Sequence, residues 1–378
     1  MNYSLNPLYT TATAAVLFVL GACLRRRVPF LTRLCVPAAV IGGMIMAAIA
    51  LAMHHAGVSV SFDTAFQAPM MLAFFTTVGL RGSLSVLWRC RAALLAYLAA
   101  CWGMAAFQNL MGSAMATLLG VDPALGAMVG ATSLMGDHGV ASAVSSHAVA
   151  AASATYGLIA GGLLGGPVIS VIINRRKIAP NTAGGQLPSG SRLPLGSKFS
   201  IRSLPNTLAT VLVIMALGRA VNPAWAAEGG VPDYVVAMLL AAAFRSVNDL
   251  LNLVALDDLV VEVISRASVG LFLMMAMMRL HVWELYALAA PLLAILMLQT
   301  AAIILAAAFV LFPILGGDYD AAVMCSGFIG HGMGAAPNAI SNMNSVCESY
   351  DAASQRAFLI VGLCGAGLGD VIARLSPG

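Results

Sequence analysis

From Gly139 to Asn174 no residue carries a formal charge, and this run limits the fold more than any other feature of the chain. It exceeds the roughly 20 residues that a helix needs to cross a hydrocarbon core. Comparable apolar stretches lie at 8–24, 34–53, 64–80 and 92–121, and again at 204–222, 231–252, 267–283, 285–312, 321–347 and 356–374. Only 9% of the residues are charged, whereas a soluble domain carries about 25%. Too little charge is present to cover a soluble surface. Disorder, which needs low hydrophobicity and high charge, is excluded with it. The runs are continuous rather than alternating, so a membrane β-barrel does not fit. The chain reads as an all-α membrane protein.

Charge placement gives the orientation. Arg25, Arg26 and Arg27 follow the first apolar stretch instead of preceding it, so it reads as a membrane helix and not as a cleavable signal. With Arg33, Arg81, Arg89, Arg91, Arg175, Arg176 and Lys177 they mark the cytoplasmic side, while the loops at 52–66 and 122–147 carry no Lys or Arg and read as outside. The polar, basic stretch 175–205 is the one obvious linker. The expected domains are a first repeat at 1–174, a cytoplasmic linker at 175–205 and a second repeat at 206–378, with both termini outside. The net charge of +4 is small and gives no support to nucleic-acid binding. The seven cysteines sit mostly in apolar runs without a C-x-x-C pair and read as small buried hydrophobes.

The halves echo one another. Asp122-Pro-Ala-Leu-Gly leads into Ser133-Leu-Met-Gly-Asp-His-Gly139, and Asp318-Tyr-Asp-Ala-Ala leads into Ser326-Gly-Phe-Ile-Gly-His-Gly-Met-Gly334. Gln108 and Gln299 each stand in mid-run. Like features at a near-constant offset, with opposite membrane sense, are the signature of an inverted-topology repeat. About ten transmembrane helices in two five-helix repeats are expected.

Both echoing segments are too glycine-rich for simple spanning helices, and irregular backbone at membrane depth occurs only inside protein or along a wet cavity. They read as re-entrant hairpins, at about 123–147 and 319–346, with tips at Met135–Gly139 and Gly330–Pro337. Broken helices offer N–H groups to an anion at one end and C=O groups to a cation at the other, as in secondary transporters. The candidate substrate contacts are Ser133, Gly136, His138, Gly139, Gly330, Gly332, Gly334, Pro337 and Asn338. Pro337 interrupts the backbone ladder. Asn338 and Asn342, four apart, share a face. Asn342 is either a sodium ligand through its amide oxygen or a helix cap. Asp137, a carboxylate at a hairpin tip, either holds a cation or proton or lies at a wet mouth. His138, His147 and His331 read equally as functional groups or as neutral structural ones. Gly161, Gly162, Gly165 and Gly166 read as a close-packing face, Met274 to Met278 as packing or lipid-facing residues, and Arg245 and Asp249 as an i, i+4 pair.

At these residues the chain resembles the bacterial sodium/glutamate symporters, nearly end to end. The similar stretches are Met70-Met-Leu-Ala-Phe-Phe-Thr-Thr-Val-Gly-Leu80, Gly161-Gly-Leu-Leu-Gly-Gly-Pro167, Leu271-Phe-Leu-Met-Met-Ala-Met-Met278 with Trp283-Glu-Leu285, and Tyr319-Asp-Ala-Ala-Val323. The most specific is Gly334-Ala-Ala-Pro-Asn-Ala-Ile-Ser-Asn-Met343, where the family has a closely similar Gly-Ala-Thr-Pro-Thr-Ala-Ile-Ala-Asn-Met. The resemblance implies an inner-membrane homodimer, sodium-coupled uptake of L-glutamate without another cofactor, and an elevator-type movement. The candidate sodium ligands are Asp137, a carboxylate where the family has glycine, Asn342 through its amide oxygen, and Asp370 as a balancing charge. Where the first family hairpin reads Ser-Gly-Gly-His-Gly-Thr-Gly-Ala-Ala, Gly136, His138 and Gly139 are kept, but Met135, Asp137, Val140 and Ala141 depart from it. Pro37-Ala38-Ala39 replaces a Pro-Glu-Pro, and near the end Asp370 is kept while Ala373 replaces an Asn. These departures leave room for a proton- or sodium-coupled carrier of another organic anion, or for a receptor or degenerate paralogue that transports nothing.

Overall fold

The computed structural model describes residues 2–82, 88–136, 148–180, 203–225, 232–280, 282–287 and 290–364. The chain is mostly helical. Asn6 caps α1 (Pro7–Arg27) by accepting from the Tyr9 N–H at 3.0 Å, with Pro7 in the first turn. A short turn, α2 (Pro29–Arg33), leads to α3 (Ala38–His55). Then come α4 (Gln67–Arg81), α5 (Arg91–Leu118), α6 (Pro123–Ala127) running into a π-turn at Met128–Thr132, and α7 (Ala148–Arg176). The second half contributes α8 (Leu204–Trp225), α9 (Asp233–Leu251), α10 (Asp258–Met277), α11 (Ala290–Leu305), α12 (Tyr319–Ser349) and α13 (Gln355–Cys364). Among the described residues, eight helices are long and apolar enough to cross a membrane.

Two differences from the sequence pattern have physical causes. A small parallel pair joins Asn2–Leu5 to Ser59–Phe62; pairing between such distant segments leaves no local signal. α10 begins at Asp258, not near 267, and takes Glu262 and Arg266 into the helix. Glu262, 9% exposed at its side chain, bridges Arg81 of α4 and Arg266. Mutual pairing makes those charges tolerable where single charges would end a span.

The helices sort into two bundles. In the first, α4 packs against α9 and α10, α1 against α3 and α10, and α8 against α9. In the second, α12 lies along α7, and α5 holds α6 and α11. Small residues set the close approaches, as expected where lipid removes any hydrophobic drive between helices. A Cβ on Gly42 would stand 2.6 Å from the Leu17 carbonyl oxygen of α1 and 2.9 Å from Met274 Sδ. Met274, Met275, Met277 and Met278 are buried, so they pack rather than face lipid.

α12 is made of helical turns but is not one straight helix. Thirty residues of straight helix would separate its ends by about 45 Å. Instead the Tyr319 hydroxyl donates to the Ala352 carbonyl at 2.7 Å, and the Ser354 hydroxyl to Asp320 at 2.7 Å. Asn342 Nδ2 lies 3.4 Å from the Ser326 carbonyl oxygen, and a Cβ on Gly327 would meet Met343 Sδ at 2.8 Å. At Gly330 a Cβ would come within 2.5 Å of Ala339 Cα. The segment therefore doubles back on itself, and its reversal falls in the stretch between Gly330 and Ala339. Glycines there permit the bend and the close approach of the arms, and Pro337 removes an N–H from the ladder.

Candidate functional site

The second arm of α12 presents Asn338 and Asn342 to the glycine face of α7. Asn338 Nδ2 donates to the Leu158 carbonyl at 2.9 Å and lies 3.3 Å from that of Gly157. Asn342 Nδ2 donates to the Gly161 carbonyl at 2.9 Å. This contact needs Gly161 and Gly165, because a Cβ at Gly161 would stand 2.7 Å from Asn338 Nδ2 and one at Gly165 would overlap the Asn342 amide. The glycine face is thus a packing face whose partners are the two candidate ligands. Asn342 does not cap a helix: its amide crosses to a neighbouring one.

Both asparagines are 0% exposed, and neither Oδ1 has a hydrogen-bond partner among the described residues. Ser341 Oγ, between them, is buried and likewise without a partner. Buried polar atoms are normally paired, and each unpaired one costs about 1–3 kcal/mol. Neutral amide, hydroxyl and carbonyl oxygens are the ligands a hard monovalent cation takes. Among the described residues no group of three or more His, Cys, Asp or Glu is placed to hold a metal ion.

α5 supports the bend. Gln108, 0% exposed, donates from Nε2 to the Gly332 carbonyl at 2.9 Å and leaves Oε1 without a partner among the described residues. Beside it the Tyr97 hydroxyl meets His331 Nδ1 at 3.2 Å, so His331 is a buried, hydrogen-bonded residue of the bend. The sequence reading placed neither Gln108 nor Tyr97 at the site. Their signal is a polar group in mid-run, which is costly in a membrane unless it is used.

The first echoing segment is only partly described. Asp122 caps α6 by accepting from Ala124 N–H at 2.8 Å, as Asp318 caps α12 by accepting from Ala321 N–H at 2.7 Å. Gly130 leaves helical geometry at ψ −139°. The Ser133 hydroxyl donates to the Met128 carbonyl at 2.6 Å, and the Gly136 N–H to that of Ala131 at 3.1 Å. Asp137, His138, Gly139, His147 and Asp370 lie outside the described residues. Gly330, Gly332, Gly334, Pro337, Asn338 and Asn342 are thus brought together on one segment, with Ser133 and Gly136 on the other.

A clamp ties this bundle to the first. Arg25, at the end of α1, bonds Glu348, the Ser349 hydroxyl at 2.6 Å and the Ser345 carbonyl at 3.2 Å. The Ser345 hydroxyl donates to the Cys35 carbonyl at 2.6 Å. Tyr350 donates to Asn174 Oδ1 at 3.2 Å. Burial raises the Tyr350 phenol and the Cys35 thiol above their ordinary values, so both stay neutral here. Arg245 pairs with Asp249 at 2.9 Å, as the spacing predicts, and with Asp258 at 2.7 Å.

The family model for sodium/glutamate symporters matches residues 3–352. A sodium/glutamate symporter of Escherichia coli (strain K12) is 33% identical over 389 residues, covering 99% of this chain and 96% of the relative. One from Haemophilus influenzae is 31% identical over 394 residues, covering 98% and 96%. Matched by the family model over most of its length and similar nearly end to end to these relatives, the chain belongs to the sodium/glutamate symporter family.

Proposed function

We propose that the protein carries L-glutamate into the bacterial cell across the inner membrane, driven by sodium. The observation that carries this reading is the pair of buried asparagines beside the bend of α12 whose amide oxygens have no partner among the described residues, in a chain whose relatives are named for both solutes. Asn342 is a sodium ligand, with Asp137 and Asp370 as the charged candidates. The bend at Gly330–Pro337, with Asn338, and the segment from Ser133 to Gly139 bind the anionic substrate through backbone N–H groups.

The doubled-back α12 supports a re-entrant hairpin entering from the cytoplasm, and the matching Asp caps support a mirrored hairpin from outside. On this reading ten helices form two inverted repeats with both termini in the periplasm, and the protein is a lipid-embedded homodimer. The division into two bundles supports an elevator-type cycle, in which the bundle bearing α7 and α12 moves against the one bearing α4 and α10.

A thermal-shift titration of the purified protein tests the reading. L-glutamate is expected to raise Tm when sodium is present and not when potassium replaces it, since a ligand bound by the folded state alone stabilises it. An equal shift in both salts contradicts sodium coupling, and no shift in either contradicts the substrate.

A further inference from the structure

α11 passes between the two glycine-rich segments. On one side Ile303 meets the bend of α12, where a Cβ on Gly332 would stand 3.1 Å from the isoleucine. On the other, Leu292, Ile295 and Leu296 pack with Val129 and Leu134 of the 123–136 segment. Gln299 lies on this stretch, one turn from Ile303 and beside Thr300, whose hydroxyl meets Tyr156 of α7 at 3.0 Å.

Gln299 is 0% exposed, and neither Nε2 nor Oε1 has a hydrogen-bond partner among the described residues. Its Nε2 reaches toward α5, 3.2 Å from where a Cβ on Gly112 would lie. Gly112 is one turn beyond Gln108, so two buried glutamines from facing helices flank the same crossing. One is engaged: Gln108 holds the Gly332 carbonyl at 2.9 Å. The other has its whole hydrogen-bonding capacity open. A buried amide left so is expensive, and a packing role would be filled better by leucine or methionine.

We propose that Gln299 contacts the transported amino acid. Its chemistry selects which part. A primary amide donates through Nε2 and accepts through Oε1, and the zwitterionic end of an α-amino acid offers a carboxylate to accept and an ammonium to donate. Gln299 therefore takes the α-amino-carboxylate end, while Gln108 positions the bend of α12. This assignment rests on the proposed uptake of glutamate.

The test is glutamate binding and sodium-driven uptake by the full-length protein in proteoliposomes, for wild type, Gln299→Met and Gln299→Glu. Methionine matches the size of glutamine without its polar atoms; glutamate keeps an acceptor and opposes the substrate carboxylate. Gln299→Met is expected to raise the half-saturating L-glutamate concentration about tenfold or more, the scale of one charge-assisted hydrogen bond. The half-saturating sodium concentration should stay within about twofold and Tm should be unchanged or higher. Gln299→Glu should weaken glutamate binding at least as much. Wild-type glutamate affinity in a folded Gln299→Met overturns the assignment. So does a lowered Tm, or failure to fold, because either marks a structural role. Wild-type protein that neither binds nor accumulates L-glutamate overturns the underlying function instead, and the assignment falls with it.

Discussion

Asn342 concentrates the chemistry of the site in one side chain. Its Nδ2 is committed to the Gly161 carbonyl while its Oδ1 is buried and has no partner among the described residues, which is why we propose it as a sodium ligand. Asn342→Ala should raise the half-saturating sodium concentration for uptake by about tenfold, with a smaller change for glutamate; sodium curves for the two proteins check it. The candidate residues on α12 were legible in the sequence because Gly, Pro and Asn in an apolar run violate the ordinary rules of a spanning helix. The role of Gln108 was not. Its partner, Gly332, is brought to it only by tertiary packing, and a glutamine in mid-run says that a partner is needed without saying which.

At the scale of elements, several spans followed from hydropathy alone: the stretch 8–24 is α1 and the stretch 92–121 is α5. Boundaries failed where charges pair, as at Glu262 with Arg81 and Arg266, because hydropathy scores each charge as if it stood alone. The clamp between α1 and the second arm of α12 was equally invisible, since Arg25 looks like one more cytoplasmic arginine. Arg25 is 7% exposed and serves three groups of α12. The Glu348 side chain is 47% exposed, so water can take over part of what the arginine gives it. Arg25→Ala should therefore cost about 2 kcal/mol, less than the 3–5 kcal/mol of a wholly buried pair. In detergent this should appear as a Tm lower by several degrees, with wild-type thermal stability as the contradicting result.

For the whole molecule, a two-bundle membrane fold carries a candidate site built on the doubled-back α12. The orientation proposed for it rests on the arginines alone, which by the positive-inside rule would put 175–205 in the cytoplasm. A cysteine introduced by Ser189→Cys should react with a membrane-impermeant thiol reagent only after cells are permeabilised; the seven native cysteines require a cysteine-free background. The central claim is that the sodium gradient drives glutamate inward, and it is tested most directly by flux. Purified protein in vesicles with sodium outside and potassium inside should accumulate labelled L-glutamate above the external concentration. Dissipating the gradient with a sodium ionophore should release it. Equal accumulation without sodium would contradict the account.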